Sequence, residues 1–497
     1  MTKLPLRQDV YKRREGCPAY LTVYLSIVLA ILLSLCLALI EGVRSNAIRL
    51  ETECVMDIGL NSIMAEYHRE LFRQYNLLAI DSSYGMPYAG KGNTEYHLLK
   101  YMQRNFSQED VFLSDFFYKD FLALEVEDVE ITRFSIFTDG GGRVFRRRAA
   151  EAVRDDVGLE LLERLLEWME MIENNGLCER DIASEKREVD EAIMEYDGME
   201  IQISEEEWMT VEVDNPTDYL EQIRSAGILE HVVENPSLLS RRSFDVELYV
   251  SHRMRQGQSS VGNMAISDMS TREQRVEDFL FREYLLRYMG RYGLEKDNSR
   301  LLYQMEYILG GENNDIENLR KMVNSICAIR EVANTIYLFS DETKCAEADI
   351  LANILAAAML LPEIAPLLKT TLLLGWAYAE SLYDVEMLLM GKSVPLLKDN
   401  TTWHYGLRGA LQTQNSGAYN GALIGLTYED YLRIFMMLED VDTLAVRAMD
   451  MIEADMRITP GNERFRMDAC YDSVEARAIV KSAYGYEVDI TREKSYQ

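Results

Sequence analysis

Histidine is scarce in this sequence, with five residues in 497, and they stand singly along the chain. Neither the HExxH pattern of zinc proteases nor the GxSxG turn of serine hydrolases occurs. His404 beside Trp403 and Cys470 near Asp472 come closest to a reactive arrangement, but such neighbours are more typical of packed or surface residues. The sequence therefore predicts no catalytic residues, no metal site and no cofactor.

Positive charge is also deficient. There are 52 Lys and Arg against 83 Asp and Glu, a formal net charge of -31. A protein that binds nucleic acid through its overall charge needs a cationic face, so this class is excluded. The acidic surface should be soluble, self-repelling and held away from anionic lipid headgroups. The apolar content of 48% is enough for sizeable cores.

One long stretch lacks charge altogether. Residues 20–40 are apolar or neutral, and about 20 such residues form a helix that crosses a hydrocarbon layer of about 30 Å. The preceding segment is mainly basic, with Lys3, Arg7, Lys12, Arg13 and Arg14 against Asp9 and Glu15. Because positive flanks stay inside, we expect residues 1–19 in the cytoplasm, a transmembrane helix at 20–41 and the rest outside the cell membrane.

A cleaved secretory signal is the alternative to this retained membrane anchor. Its apolar region is usually about 7–15 residues long and ends at a small-x-small site, and neither feature fits well. The box Leu33-Ser34-Leu35-Cys36 is similar to a lipoprotein cleavage site, but Cys36 lies deep in the apolar run. The length favours the retained anchor.

The cysteines give no disulfide framework. With Cys17 and Cys36 in the cytoplasm or the bilayer, five remain outside at wide spacing, so at most two bridges can form. Their pairing stays open among Cys54, Cys178, Cys327, Cys345 and Cys470. The sequence contains neither a CxxC pair nor a Cys/His cluster, so it does not predict a structural zinc site.

Residues 42–254 predict an extracellular α+β domain. Helical spacing continues to Tyr75, so the spanning helix either runs unbroken from Tyr20 to Gln74, about 80 Å, or is hinged near Gly42. A short buried strand at 77–81, a helix at 94–105 and one or two strands at 122–137 follow. The acidic stretch 177–209, with three consecutive glutamates at 205–207, predicts a solvated helix or linker.

A glycine-rich turn, Asp139-Gly140-Gly141-Gly142, precedes a predicted helix that runs to about Asn174. Its first turns carry Arg143, Arg146, Arg147 and Arg148. Such a turn can bind phosphate through free N–H groups, but it matches neither GxxxxGK[ST] nor GxGxxG. A tight turn with Asp139 or Thr138 capping the helix is the favoured interpretation, and an anion site is the alternative.

Residues 255–270 are small and polar and predict a linker, after which residues 271–497 predict a mainly helical domain with possible terminal strands at 464–486. The apolar stretch 350–374 could suggest a second span, but Pro362, Glu363, Pro366 and Lys369 favour two buried helices joined at Pro362. A further helix is predicted at 428–455, after a loop at 415–425. The fold class expected is α+β, mainly helical.

Two pairs of carboxylates could in principle support acid–base chemistry, Glu306 with Asp315 and Glu380 with Asp384. They would do so only if burial and separation shifted their pKa values apart. Glu380 and Asp384 share one helix face, where like charges repel unless a cation lies between them. Chance pairs are common among 83 acidic residues.

Two resemblances are carried by specific residues. The opening Arg13-Arg14-Glu15-Gly16, with one apolar helix ending in Ile40-Glu41-Gly42-Val43-Arg44, resembles the N-terminus of TadE- and TadG-type minor pseudopilins of Tad (Flp) pili. Nearly the whole chain is similar to an uncharacterised family of anchored proteins of Gram-positive anaerobic bacteria, encoded among Tad-type secretion genes. This similarity is carried by TDGGGRVFRRRA (138–149), MEYILGGENNDIENL (305–319), IREVAN (329–334) and GWAYAESLYDVEMLLMGKSVPLLK (375–398).

The resemblance implies a minor component or assembly factor of a pilus-like apparatus, with no catalytic residues to transfer. Type IV-like pilins usually keep a Glu five residues after the cleaved Gly. Counting from Gly16, that position is Leu21, which disfavours processing at Gly16.

The sequence thus favours a non-enzymatic, membrane-anchored component of a Tad-like apparatus. The expected partners are the bilayer, through residues 20–41, and other protein subunits. Ser26, Ala30, Ser34 and Ala38 lie four apart on one helix face and predict a packing stripe, although small residues can equally face lipid. The alternatives are a surface protein for ligand binding or adhesion, favoured if loops after Gly85 or Asn415 form an aromatic-lined cleft, and a membrane-tethered enzyme.

Overall fold

A computed structural model describes residues 18–106, 122–202, 208–266, 269–412 and 425–496. The described chain divides into two compact units. The smaller draws on Met1–Glu66, Lys91–Thr132 and Val474–Ser495, and the larger on Tyr67–Gly90, Arg133–Ser473 and Tyr496–Gln497.

Helices predominate in the described part. In chain order they are α1 Pro18–Met64, α2 Arg69–Tyr75, α3 Lys91–Phe106, α4 Asp139–Glu151, α5 Leu159–Asn174, α6 Ile182–Met194, α7 Asp218–Ala226, α8 Leu229–Val232, α9 Val250–Arg255, α10 Thr271–Tyr288, α11 Gln304–Gly310, α12 Asp315–Ser340, α13 Glu342–Ala358, α14 Ala365–Leu389, α15 Leu407–Gln412, α16 Tyr428–Leu438 and α17 Val441–Ile458. Short 3-10 turns occur at Pro236–Leu238, Val246–Leu248, Pro362–Ile364 and Met467–Ala469.

The strands are β1 Ile80–Asp81, β2 Leu124–Ile136, β3 Glu200–Gln202, β4 Trp208–Thr210, β5 Cys470–Ser482 and β6 Glu487–Ser495. One sheet has the order β1–β5–β2, and β6 also pairs with β5. β1 and β5 are antiparallel, with Ile80 opposite Tyr471. β3 and β4 form a separate antiparallel pair in the acidic region, with Ile201 opposite Met209. The α+β, mainly helical class predicted from the sequence is therefore confirmed.

α1 is a single 47-residue helix that passes through Gly42 without a break. Its apolar part is exposed, and among the described residues it is the one helix long and apolar enough to cross a membrane. Beyond the apolar part, Ile48, Val55, Met56, Leu60 and Ile63 are buried. This face packs against α3 and β6. The hinge at Gly42 is therefore excluded, and the apolar segment continues directly into the packed part of the smaller unit.

The unbroken helix ends earlier than the expected Gln74. It stops at Met64, and α2 starts anew at Arg69. His68 is the reason, because its backbone is extended and its ring nitrogen accepts the N–H of Leu71, which caps the start of α2.

Two other predicted helices are each divided into two in the structure. The helix expected at 139–174 consists of α4 and α5, separated at 152–158. The helix expected at 428–455 consists of α16 and α17, because the carboxylate of Asp440 accepts the N–H of Thr443 and caps α17. In the second case a capping side chain starts a new helix within a continuous apolar pattern, whereas Gly158 at the start of α5 makes no side-chain cap.

The stretch that could have been a second span is two helices, as predicted. α13 ends at Ala358, a 3-10 turn begins at Pro362, and α14 starts at Ala365. α14 is buried on nearly every side, whereas α13 buries a narrow face of three alanines, Ala348, Ala352 and Ala356. The core of the larger unit is thus built around α14, with α12, α13 and α6 packed against it.

The three predicted strand regions are confirmed with shifted ends, the first of them, at 77–81, as the two-residue β1. The period-two pattern at 122–137 forms β2, and the region at 464–486 forms β5, with β6 lying beyond its predicted end. Glu205, Glu206 and Glu207 lie outside the described residues, as does most of the predicted loop at 415–425. The predicted domain boundary at 255–270 stays a prediction.

Candidate functional site

A buried cluster of charged side chains lies on α12, α14 and the segment after α14. We call Arg330, Glu380, Asp384 and Lys398 the Lys398 cluster. The ammonium group of Lys398 contacts the carboxylates of both Glu380 and Asp384. Arg330 donates from Nε and Nη2 to Oδ2 of Asp384, at 2.9 and 2.8 Å. All four side chains are at most 2% exposed.

The helix periodicity explains how the two carboxylates come together. Glu380 and Asp384 lie one turn apart on α14, and Lys398 lies between them, as the sequence required if the pair was to be tolerated. Asn334 adds a further donor, with its amide 3.0 Å from Oδ2 of Asp384. The sequence identified the acidic pair but not Arg330, Asn334 or Lys398. The motif IREVAN holds the first two at i, i+4 spacing, a helix-face signal that could have been used.

The two carboxyl groups have pKa values shifted in opposite directions. Burial raises the pKa of Glu380 despite the neighbouring Lys398. Burial acts on Asp384 in the same sense, but Arg330 and Lys398 outweigh it and lower the pKa of that carboxyl. The separation that acid–base chemistry needs is present, yet Glu380 and Asp384 are at most 1% exposed and their oxygens are occupied by donors.

These oxygens and donors hold the segment that follows α14. Arg330 donates to the carbonyls of Pro395 and Leu396, at 2.8 and 2.7 Å. Glu380 accepts the backbone N–H groups of His404 and Tyr405, at 2.8 and 2.9 Å. The Lys398 cluster therefore attaches residues 395–405 to the helical core.

His404, which the sequence singled out, lies beside this cluster. Its ring stacks on Tyr383 with centroids 3.8 Å apart and planes nearly parallel. Its Nε2 is buried without a hydrogen-bond partner. Burial, followed by the positive charge of Lys398, lowers the pKa of His404, so the ring is neutral and serves packing.

The other acidic pair is not held together by a shared partner. Oε1 of Glu306 accepts from the hydroxyl of Tyr428 at 2.7 Å and from the N–H of Tyr292 at 3.0 Å. Asp315 instead accepts the N–H groups of Leu302 and Tyr303, at 3.1 and 3.0 Å. Burial raises the pKa of Glu306 to about 7, and Oε2 of Glu306 is buried without a partner. Glu306 and Asp315 are thus separate buried acids.

The glycine-rich turn has the tight geometry expected, with Gly140, Gly141 and Gly142 all at positive φ. The predicted cap is wrong, because Thr138 makes no side-chain hydrogen bond to the start of α4. The carboxylate of Asp139 instead accepts the N–H of Ile136 and the N–H of Gly262, each at 2.8 Å. It therefore closes the turn from the side of the preceding strand.

The arginines after this turn are bound by carboxylates. Arg146 pairs with Asp278 at 3.1 Å and with Asp442 at 2.9 Å. Arg147 and Arg148 both contact Asp472, which is fully buried. Arg146, Arg147 and Arg148 are thus engaged in ion pairs within the protein, which disfavours the anion-site alternative. Cys470 takes no part in them, and burial raises its pKa well above the ordinary value of a thiol.

The predicted membrane stripe consists of exposed residues whose polar groups are satisfied within the helix. Ser26 donates to the carbonyl of Val23 at 2.8 Å, and Ser34 donates to that of Ile31 at 2.9 Å. Such hydroxyls can lie against lipid or against another helix without an unpaired donor. The packing role of Ser26, Ala30, Ser34 and Ala38 stays a prediction, and Gly16 lies outside the described residues.

Two further classes of site were sought in the described part of the chain. No group of three or more His, Cys, Asp or Glu side chains there could hold a metal ion. The six cysteines described, Cys36, Cys54, Cys178, Cys327, Cys345 and Cys470, are all free thiols.

Comparison with known proteins gives one match. No curated protein and no solved structure matches this chain. Residues 206–482 match a sequence family of unknown function, and this range is more than half of the chain. It contains the Lys398 cluster, Glu306 and all of β5. The chain therefore belongs to this family of unknown function, DUF5702.

Proposed function

We propose that this protein is a non-enzymatic, membrane-anchored component or assembly factor of a Tad/Flp-like pilus or secretion apparatus, with its bulk outside the cell. The observation that carries the proposal is the continuity of α1. The helix leaves its exposed apolar segment and reaches buried packing at Ile48 with no intervening loop. A tether without a flexible linker fixes the position of the folded part on the bilayer. Such fixation suits a subunit that is built into an assembly.

The use of the reactive side chains supports a structural role. The buried carboxylates of Glu380 and Asp384 are bound by Lys398, Arg330 and backbone N–H groups. Arg146, Arg147 and Arg148 after the glycine-rich turn are likewise bound in internal ion pairs. The proposal of a Tad-type assembly, rather than another kind, comes from the resemblance of the N-terminus to Tad-type pseudopilins.

The test is recovery of partner subunits from native membranes. The full chain carrying a C-terminal tag is crosslinked in its host, extracted in mild detergent and purified, and the bound proteins are identified by mass spectrometry. We expect pilus-assembly subunits to be recovered. Recovery of the tagged chain alone would contradict the proposal.

A variant of the predicted packing stripe tests whether this face of α1 contacts the partner subunits. Replacing Ser26, Ala30, Ser34 and Ala38 by Leu keeps the segment apolar but removes close helix approach, so it should reduce recovery of the partners several-fold. The matched control replaces Val23, Ile27 and Ile31 by Leu, which alters side chains of similar size, and should leave recovery unchanged. Equal recovery from both variants would remove the stripe from the proposal.

An adhesion or ligand-binding protein is the second candidate. The loop after Gly85 exposes Met86 and Tyr88, with Tyr88 at 84% exposure. Exposed aromatic side chains of this kind are typical of recognition surfaces. Loss of surface binding by cells that carry Tyr88→Ala, with partner recovery unchanged, would favour this candidate over the first.

A further inference from the structure

The turn between β5 and β6 lies on α1 directly beyond the apolar segment. The guanidinium carbon of Arg44 is 4.1 Å from the centroid of the Tyr484 ring. The hydroxyl of Tyr486 donates to the carboxylate of Glu41. Both contacts lie within the smaller unit, and both involve the first helical turn after Ile40, where the apolar run ends.

Hydrogen bonds within the turn close it. Ser482 donates its N–H to the carbonyl of Tyr486 at 2.8 Å, and Gly485 donates to the carbonyl of Ser482 at 3.0 Å. Gly485 has a φ of 84°, which closes the tip tightly. The N–H of Tyr484 is 3.3 Å from the hydroxyl of Ser482. The tip residues 483–485 are therefore held in one position relative to α1.

The length of the apolar run gives the depth of this tip. From Tyr20 to Ile40 it extends about 31 Å at about 1.5 Å per residue, which equals the thickness of a hydrocarbon core of about 30 Å. Glu41 and Arg44 follow within about 6 Å along the axis. Because a bilayer with its headgroups is about 40–45 Å thick, this turn of α1 lies in the headgroup layer.

The chemistry of the tip fits that layer. Residues 483–485 are Ala-Tyr-Gly and carry no charge, in a chain whose net charge is -31. Tyr484 is 48% exposed, so part of its ring is available beyond the contact with Arg44. Tyrosine is enriched at headgroup depth because its ring is apolar and its hydroxyl is polar. The flanking Lys481 is paired with Glu127 at 2.7 Å and with Glu487 at 3.6 Å.

We propose that the β5–β6 turn is a membrane-interface contact in which Tyr484 inserts among phospholipid headgroups and Arg44 faces their phosphates. This contact fixes the rotation and tilt of the smaller unit on the bilayer. It rests on the proposed membrane anchoring through α1, which supplies the depth.

The test measures the depth of the tip in a bilayer. The full chain, with its cysteines other than the buried Cys327 and Cys470 replaced by Ser, receives Ala483→Cys and an environment-sensitive fluorophore in phosphatidylcholine/phosphatidylglycerol nanodiscs. Lipids with a nitroxide at the headgroup should quench this label at least twofold more than they quench the same label at Glu493→Cys. Position 493 is exposed on the same hairpin, about 20 Å along β6 from the turn. Equal quenching at the two positions would overturn the inference.

A third label separates this inference from the anchoring on which it rests. Leu32→Cys lies in the middle of the apolar run and should be quenched by lipids that carry the nitroxide in the acyl chain. If that label is not quenched, the anchoring itself fails. If it is quenched while the 483 and 493 labels behave alike, only the interface contact fails.

A substitution at the ring gives the second measurement. Tyr484→Asp places a charge at the tip and should remove the headgroup quenching at position 483, whereas Tyr484→Trp should retain it. Unchanged quenching in Tyr484→Asp would contradict the assignment of the contact to this side chain. Circular dichroism checks that both variants keep the helical content of the unsubstituted chain.

Discussion

Lys398 lies between two buried carboxylates, and its removal would leave both without their shared cation. We expect Lys398→Met to lower the free energy of unfolding by about 3–5 kcal/mol, the usual effect of breaking a buried ion pair. Urea denaturation of the full chain in detergent measures it. The control is Lys392→Met, at an exposed position six residues earlier, where a change within about 0.5 kcal/mol is expected. Equal effects at the two positions would show that the Lys398 cluster does not hold residues 395–405.

Glu306 should make stability depend on pH. Its folded-state pKa of about 7 lies above the ordinary value of 4.5, so the folded chain binds the proton more tightly than the unfolded chain. The stability that this gives is fully present below about pH 4.5 and is lost as pH rises through about 7. Relative to Glu306→Gln, the unsubstituted chain should lose about 3 kcal/mol between these limits. Parallel stability curves for the two proteins would contradict this assignment.

At the scale of single residues, the sequence predicts the need for a cation but not its identity. The i, i+4 spacing of Glu380 and Asp384 predicts a positive group between the two carboxylates, and Lys398 confirms this prediction. Lys398 could not be chosen, because it lies in an irregular segment where periodicity gives no direction. The sequence predicts that His404 and Cys470 are packed or surface residues, because neither has a partner at a meaningful spacing, and both are packed in the structure.

Among the elements, the glycine-rich turn at the start of α4 depends on backbone geometry that other residues rarely adopt. Gly142 has a φ of 89°, and an added Cβ would lie 3.0 Å from Cε of Met449 and 3.3 Å from Cβ of Ala445. Gly142→Ala should therefore destabilise the chain by about 1–2 kcal/mol, measured by urea denaturation. Gly92→Ala, in helix α3, brings the new methyl group no closer than 3.9 Å to Oε2 of Glu95, an ordinary contact, and should be neutral or slightly stabilising. Loss of stability in both variants alike would remove the geometric explanation.

The continuity of α1 predicts a defined distance between a residue in its apolar segment and a residue beyond Gly42. Spin labels at Leu32→Cys and Leu50→Cys, both exposed positions, are separated by 18 residues, or about 27 Å along a straight helix. Pulsed electron paramagnetic resonance on the full chain in nanodiscs should give a narrow distribution near that value. Adding Gly42→Pro should broaden and shorten it, because proline removes a helical hydrogen bond. A broad distribution in the chain without Gly42→Pro would show a hinge.

For elements, the sequence predicts their type better than their ends. Periodicity placed α3, α14, β2 and β5, because each has a continuous apolar pattern. Periodicity predicts a single helix at 139–174 and another at 428–455, and each of these ranges holds two helices in the structure. In the second case the break comes from Asp440, a capping residue that the pattern does not distinguish from an exposed acid.

For the whole molecule, composition excluded a charge-driven nucleic-acid binder, and the apolar run predicted the one membrane-length helix found in the described chain. The sequence does not predict the particular division into two units that the structure has. Each unit combines segments far apart in the sequence, such as 474–495 with α1, and a linear scan for linkers cannot find such a boundary.

The central claim is that α1 crosses the membrane once and places everything after residue 41 outside the cell. Protease added to intact cells that express the full chain with a C-terminal epitope tests it most directly. We predict loss of the epitope from intact cells while a cytoplasmic protein in the same cells stays whole. Survival of the epitope until the cells are lysed would contradict the claim.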